Sequence, residues 1–233
     1  MFTSIVKIVA ATVLFASVHS LLASRTAKAA AVVLFGERRR NGLYRPFYNI
    51  LAITTFGALI LYGIRLPDRE LYRVRGTLAR LMQIVQAAFV VYLLYGMRQV
   101  GFLKFYGVSN LIAFLKSEPF ILPEPEAQGP MQDINGEMKV TGPFRTSRHP
   151  LSFGMLPVFW LMPRMTVNLA AFNLVTTLYL FIGAFHEETR LKAVYGQAYL
   201  DYQKSETNFF FSPISGAYGK PSVRRITDVF GWN

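Results

Sequence analysis

The chain reads as an all-α integral membrane protein with about five transmembrane helices, the last two forming a C-terminal helical hairpin. Three observations predict this. Hydrophobic residues make up 52% of the 233 and charged residues only 16%, well under the roughly one quarter usual in soluble domains. The apolar residues come in blocks close to the ~20 residues that a bilayer-crossing helix needs. The ionisable residues cluster at the ends of those blocks.

Composition also excludes several classes. There is no cysteine, so disulfides, thiolate metal sites and a cysteine nucleophile are ruled out. The net charge of +12 could suit nucleic acid, but no basic run is interleaved with a recognition motif. In a membrane protein such residues set orientation and meet anionic head groups. Membrane lipids are therefore the expected partners, and nucleic acid is not.

The first span covers 4–23, read as a retained anchor rather than a signal peptide because no convincing small-x-small cleavage site follows Lys7 and its apolar core. His19 near its end reads more naturally as a bundle-facing residue bonded to a neighbour than as a metal or haem ligand. A basic connector, 24–47, leads to a second span from Tyr48 to Ile64 and then to loop 65–80, which holds five arginines and two acids. A third span covers Leu81 to Met97. Residues 100–116 are apolar but carry Lys104 and Lys116 and are broken by Gly107 and Asn110, which predicts an interfacial segment rather than a further span. Residues 117–140, rich in proline and acids with a turn signal at Asn135-Gly136, read as a loop, a short hairpin or a lid.

A hairpin follows: a short helix 151–162, a turn over 163–166 and a span 167–185. The first arm is too short to cross alone if straight. Arg145, Arg148 and His149 stand directly before it, and His186, Glu187 and Glu188 directly after it, so the hairpin returns the two groups to one side of the membrane. Arg and protonated His donate to a carboxylate, while a carboxylate pair can hold an ammonium group and sugar hydroxyls. Pro150 fits the first turn of a helix, leaving His149 at a helix N-terminus that favours an anion. Glu188, Leu191, Tyr195, Tyr199 and Tyr202 fall on one stripe by three-and-four spacing. The acidic pair is expected at a water-facing helix end, where neutralising one member would leave the fold intact.

Gly142-Pro143-Phe144, Arg148-His149-Pro150-Leu151, Gly154, Glu187-Glu188, Leu191, Tyr195-Gly196 and Tyr199-x-x-Tyr202 together resemble the isoprenylcysteine carboxyl methyltransferase superfamily, which includes phospholipid methyltransferases. The family commonly has Tyr where this chain has Ser152. His19-Ser20, Tyr44-Arg45-x-x-Tyr48 and Met165-Thr166-Val167 resemble a narrower branch, that of NnrU-type proteins and methanethiol S-methyltransferases. The resemblance implies a membrane enzyme using S-adenosyl-L-methionine (SAM). It places the cofactor on Gly142, Pro143, Phe144, Arg145, Arg148, His149, Pro150, Glu187, Glu188 and Tyr199, and catalysis on Glu188 and Arg148. No metal is implied. The implied acceptor is a small lipophilic or thiol substrate, and the implied location a bacterial inner membrane. Two alternatives stay open: a non-catalytic NnrU-like membrane protein linked to denitrification, and a lipid or isoprenylcysteine methyltransferase.

Blander readings compete. The arginines could form a lipid-phosphate belt, and Glu187 and Glu188 could pair with Arg190 and Lys192 on a solvated face. His186-Glu187 opens like a zinc-protease motif, but Arg190 stands where the second His must. Haem bound by His19, His149 or His186 would need two of them at one depth.

Eighteen of the 25 Lys and Arg residues fall on one side if five spans start from an outer N-terminus. This predicts a cytoplasmic C-terminal helix and cofactor site. The expected organisation is a three-helix membrane region over 1–97, an interfacial helix and loop over 98–140, and the motif region with its hairpin over 141–233.

Overall fold

The computed structural model describes residues 2–119, 129–130, 132, 136–204 and 209–210. Most of these residues are helical. Among the described residues, four helices are long and apolar enough to cross a membrane: α1 (Phe2–Ala23), α3 (Glu37–Arg65), α4 (Gly76–Val100) and α8 (Val167–Tyr195). Their outward surfaces are apolar and exposed, as at Leu14, Ile53, Ile84, Val91 and Leu178, which in water would be untenable and in lipid is the expected state. The chain is an integral membrane protein of the all-α class.

The fifth expected span is instead a short apolar helix, α7 (Pro150–Trp160), the first arm of the hairpin. At 11 residues it rises only about 16 Å, half the ~30 Å hydrocarbon core. It is held by close packing on α4, where Gly154 admits Leu93: a Cβ at Gly154 would stand 2.8 Å from Leu93 Cδ2. A turn over residues 161–163 leads into a strand, β2 (Arg164–Thr166), paired antiparallel with β1 (Glu70–Arg73). Sequence periodicity did not suggest this pair, because three or four residues carry too little pattern.

The β1–β2 pair ties loop 65–80 to the hairpin turn. Glu70 Oε2 accepts from Arg73 Nη2 at 2.6 Å and Arg164 Nε at 2.9 Å. Two basic residues of this end are thus matched by one acid. The N-terminus of α8 is capped twice, by Thr166 Oγ1 accepting from Leu169 N and by Asp68 Oδ1 accepting from Asn168 N.

At the opposite end the connector 24–47 folds into α2 (Arg25–Phe35), N-capped by Ser24, and the first turns of α3. The second helix therefore starts well before Tyr48 and runs through Pro46. Residues 100–116 form α5 (Phe102–Tyr106) and α6 (Val108–Lys116), broken at Gly107 as expected but not at Asn110, which lies within α6 and donates to Asn41 O. They lie on the start of α3, where Arg45 Nε and Asn49 Nδ2 both donate to Phe105 O. In loop 117–140, Gln132 and Met138 form an isolated antiparallel bridge. The lid expected there falls mainly outside the described residues, as do Phe211 and Trp232, which read from the sequence as interfacial anchors, and Arg224 and Arg225, which read as contacts for lipid phosphates.

Beyond Tyr195 the helix stops at Gly196, whose φ of 54° is readily adopted only without a side chain, and α9 (Gln197–Lys204) sets off in a new direction. The stripe read along one helix is therefore split between two. Its members still meet: Leu191, Tyr195, Tyr199 and Tyr202 form one buried cluster, with Met138 and Val140 packed against it.

Candidate functional site

The hairpin brings Arg148 and His149 against Glu187 and Glu188. His149 caps the start of α7 in a non-helical conformation, as the following proline demands, and its backbone N–H donates to Ser147 Oγ at 3.0 Å. The ring then spans the acidic pair. Nδ1 lies 3.2 Å from Glu187 Oε2, and Nε2 lies 3.3 Å from Glu188 Oε1. Carboxylate oxygens only accept, so the ring serves both at once only when each nitrogen carries a proton, as in the imidazolium. Burial opposes that charge, but hydrogen bonds and attraction from Glu187 and Glu188 outweigh it and hold the His149 pKa above its usual 6.5.

Glu188 is the hub of the cluster. Its Oε1 also accepts from Arg148 Nε at 2.8 Å, and its Oε2 from Gln203 Nε2 at 2.6 Å. Glu188 is buried, so the expectation of a water-facing carboxylate is corrected: α9 folds back over it and delivers Gln203. The bland pairing with Arg190 and Lys192 is not what forms either, for Arg190 Nη1 instead donates to Ala23 O at 3.0 Å.

Aromatic rings close the cluster. Phe209 lies 4.7 Å from the His149 ring and 4.6 Å from Phe185, with the Arg148 guanidinium carbon 5.7 Å above its centre. Phe209 thus covers charged groups, and its neighbour Phe210 reaches Phe181.

The other expected site residues divide into supports and bystanders. Gly142, Pro143 and Phe144 form a 3-10 turn with Arg145; the Phe144 carbonyl accepts from Tyr202 Oη at 2.8 Å, locking the motif loop to α9. Pro150 is buried at the first turn of α7, and Arg145 is exposed. Tyr199 is fully buried beside the acidic pair, and its hydroxyl has no hydrogen-bond partner among the described residues. Burial, reinforced by Glu188 and Glu187, pushes its phenol well above the usual range. Sequence reasoning missed Ser147, Gln203 and Phe209. Gln203 had a signal, one turn from Tyr199, whereas nothing local marks Phe209.

A cavity of about 640 Å³ adjoins the cluster on the far side of Glu187, between the ends of α1, α2, α3 and α8. His19 and Tyr48 are hydrogen-bonded in its wall, so His19 is the neighbour-bonded residue expected. Ser152 also lines it, where a tyrosine would occupy more of the space.

With this geometry in view, comparison with curated proteins finds methanethiol S-methyltransferases. That of Pseudomonas deceptionensis is 35% identical over 80 residues, 34% of this chain and 30% of that protein. That of Crocosphaera subtropica is 42% identical over 57 residues, 24% and 22% of the respective chains. Methanethiol S-methyltransferase 1 of Bradyrhizobium diazoefficiens is 36% identical over 61 residues, 26% and 21%. At family level these matches support the methanethiol S-methyltransferase-like branch. The chain spans less than a third of the length of the curated relatives it matches. No family model matches it, and no solved structure does.

The ionisation of His149 has a measurable consequence. A folded pKa above the unfolded value means that the His149 contact contributes its full stability below pH 6.5. That contribution is lost as pH rises through the folded pKa. Carbon-detected NMR of labelled histidine should place the His149 midpoint above 6.5. A midpoint below that value would show a neutral ring and remove the ionic reading of the cluster.

Proposed function

We propose that the protein is a membrane-embedded, SAM-dependent methyltransferase acting on a small lipophilic thiol, with its site and C-terminus on the cytoplasmic side. The observation that carries this is the meeting of Arg148, His149, Glu187 and Glu188 at one end of the hairpin. Two cations and two carboxylates within one buried cluster suit a ligand that has both an acidic and a cationic end. The buried Tyr199 hydroxyl, lacking a partner among the described residues, is a further polar group for a ligand to satisfy. Arg148 and His149 would hold the donor's carboxylate, and Glu187 and Glu188 its ammonium or ribose. The donor supplies an activated methyl group on a sulfonium. The protein's part is then alignment and exclusion of water, which the Phe209 cover favours.

The names of the relatives support the thiol acceptor, and the membrane setting supports lipophilicity. A second reading is favoured by one specific observation. The four charges neutralise each other, as they would in a purely structural latch of a non-catalytic protein. Purified protein with methyl-labelled SAM, offered thiols, amines and lipids, separates the readings. Label is expected on a small thiol, and calorimetry showing no SAM binding would leave the latch. The sidedness is checked by a reporter fused after Asn233, expected to be active only in the cytoplasm.

Tyr199→Phe gives an independent check. Removing a buried hydroxyl that lacks a partner should raise thermal stability, by up to about 1 kcal/mol, while weakening SAM affinity about tenfold. Loss of stability with unchanged affinity would assign the hydroxyl a structural partner instead.

A further inference from the structure

Arg148 and His149 stand between two anchorages on one face of α4. Ahead of them, loop 141–146 is seated on the last turns of that helix. Thr141 Oγ1 donates to Gln99 Oε1 at 2.6 Å, and a Cβ built at Gly142 would stand 2.8 Å from the Tyr95 ring. Tyr92 Oη lies 3.1 Å from Thr146 Oγ1. After them, the first turn of α7 rests on Gly96, where an added Cβ would stand 3.1 Å from Leu151 Cδ2. Tyr92, Tyr95, Gly96 and Gln99 follow the three-and-four spacing of one helix face. Tyr202 holds the same loop from the other side, through Phe144 O.

We propose that Tyr92 is a positioning residue of the SAM site: acting through Thr146, it sets Arg148 and His149 where they meet both Glu188 and the donor's carboxylate. This rests on the methyltransferase reading and adds to it the element that holds the basic pair in place. The Tyr92 hydroxyl makes a bond that packing does not need, since its ring already meets Phe89 and Phe153 edge to face. The direction of that bond follows from a proton count. Thr146 has one hydroxyl proton and gives it to Pro143 O at 2.9 Å, so its oxygen accepts from Tyr92. Tyr92, Thr146 and Pro143 thus form one chain, which ends on the turn just ahead of Arg148. The contacts beyond that turn tolerate little movement. Arg148 Nε lies 2.8 Å and His149 Nε2 3.3 Å from Glu188 Oε1, and a separation of about 3.6 Å already breaks such a bond. Burial lowers the His149 midpoint while Glu187 and Glu188 raise it, so a ring drawn off the carboxylates titrates lower.

The test uses the full chain in detergent. Tyr92→Phe keeps the ring contacts and removes only the hydroxyl. Its unfolding midpoint is expected within about 4 °C of the parent. Calorimetry should show SAM affinity lower by about tenfold, and NMR without donor should show the His149 midpoint lower by about 0.5 or more. Thr146→Val should reproduce both changes, and Thr146→Ser, which keeps the hydroxyl, should restore the parent. The double variant Tyr92→Phe/Thr146→Val should be no worse than Thr146→Val alone, because the two act through one chain. Asn173→Leu is the control: it removes the bond from Asn173 Nδ2 to Phe159 O at the far end of α7, and should lower the unfolding midpoint while leaving SAM affinity unchanged. In a parent that binds SAM, a parent-like value of either readout in Tyr92→Phe, or additive losses in the double variant, would overturn the positioning role. Equal weakening of SAM binding in Asn173→Leu would also overturn it, by making the effect one of stability. A parent that binds no SAM, with the His149 midpoint still lowered in Tyr92→Phe, would instead sink the methyltransferase reading and leave Tyr92 setting the charged cluster alone.

Discussion

Glu188→Ala is expected to lose about 3–5 kcal/mol of stability, the usual cost of stranding buried charges, and to abolish SAM binding. Glu188 accepts from Arg148, His149 and Gln203 at once, so its removal leaves two cations short of a partner in a buried site. Thermal unfolding in detergent measures the first effect and calorimetry the second. Because a destabilised variant could lose binding trivially, the double variant Arg148→Met/Glu188→Leu is the decisive companion. Apolar replacement of a buried ion pair is often neutral or stabilising, so stability should return to within about 1 kcal/mol of the parent. SAM affinity should not return. A stable double variant that binds SAM as the parent does would make the pair a latch and nothing more.

Arg148→Ala is the second large effect, and its profile differs. SAM affinity should fall by about 2–3 kcal/mol, roughly 30- to 150-fold, as a charge-assisted contact in a partly desolvated site is lost. Stability should fall less than in Glu188→Ala, because Glu188 keeps His149 and Gln203 while Phe209 loses only the cation above its ring. Arg148→Lys should recover part of the stability and little of the affinity, since an ammonium cannot reproduce the planar fork. Parent-like calorimetry in Arg148→Ala would return the basic group to a lipid-belt role.

Both expectations depend on pairings that lay only partly in view from the sequence. The meeting of the two ionisable groups was legible, because Arg148-His149 and Glu187-Glu188 flank an apolar stretch long enough to go out and back. The buried hub was not. Glu188 looked water-facing because it ends an apolar block; its burial comes from α9, which turns back at Gly196 and brings Gln203 and Tyr202 with it. The tyrosine stripe was legible as a group, though not as two helices. His19 was legible as a bonded histidine, but not as one wall of a cavity shared with Arg45 and Arg190.

What the sequence by itself determined is the class, the approximate places of the four long helices, the breaks at Gly107 and Pro163-Arg164, and the return of the two charged groups to one end of the hairpin. These depend on hydropathy summed over about 20 residues and on single residues with fixed backbone preferences, both of which are local. What only the tertiary structure decided is which atoms pair: Glu188 with Arg148 and Gln203, Glu187 with His149, Asp68 with the start of α8, and the β1–β2 strap. Successive residues on a helix point about 100° apart, so a small change in the rotation or depth of one helix against its neighbour selects a different partner. Those variables are set by packing such as Leu93 against Gly154, between residues far apart in the chain.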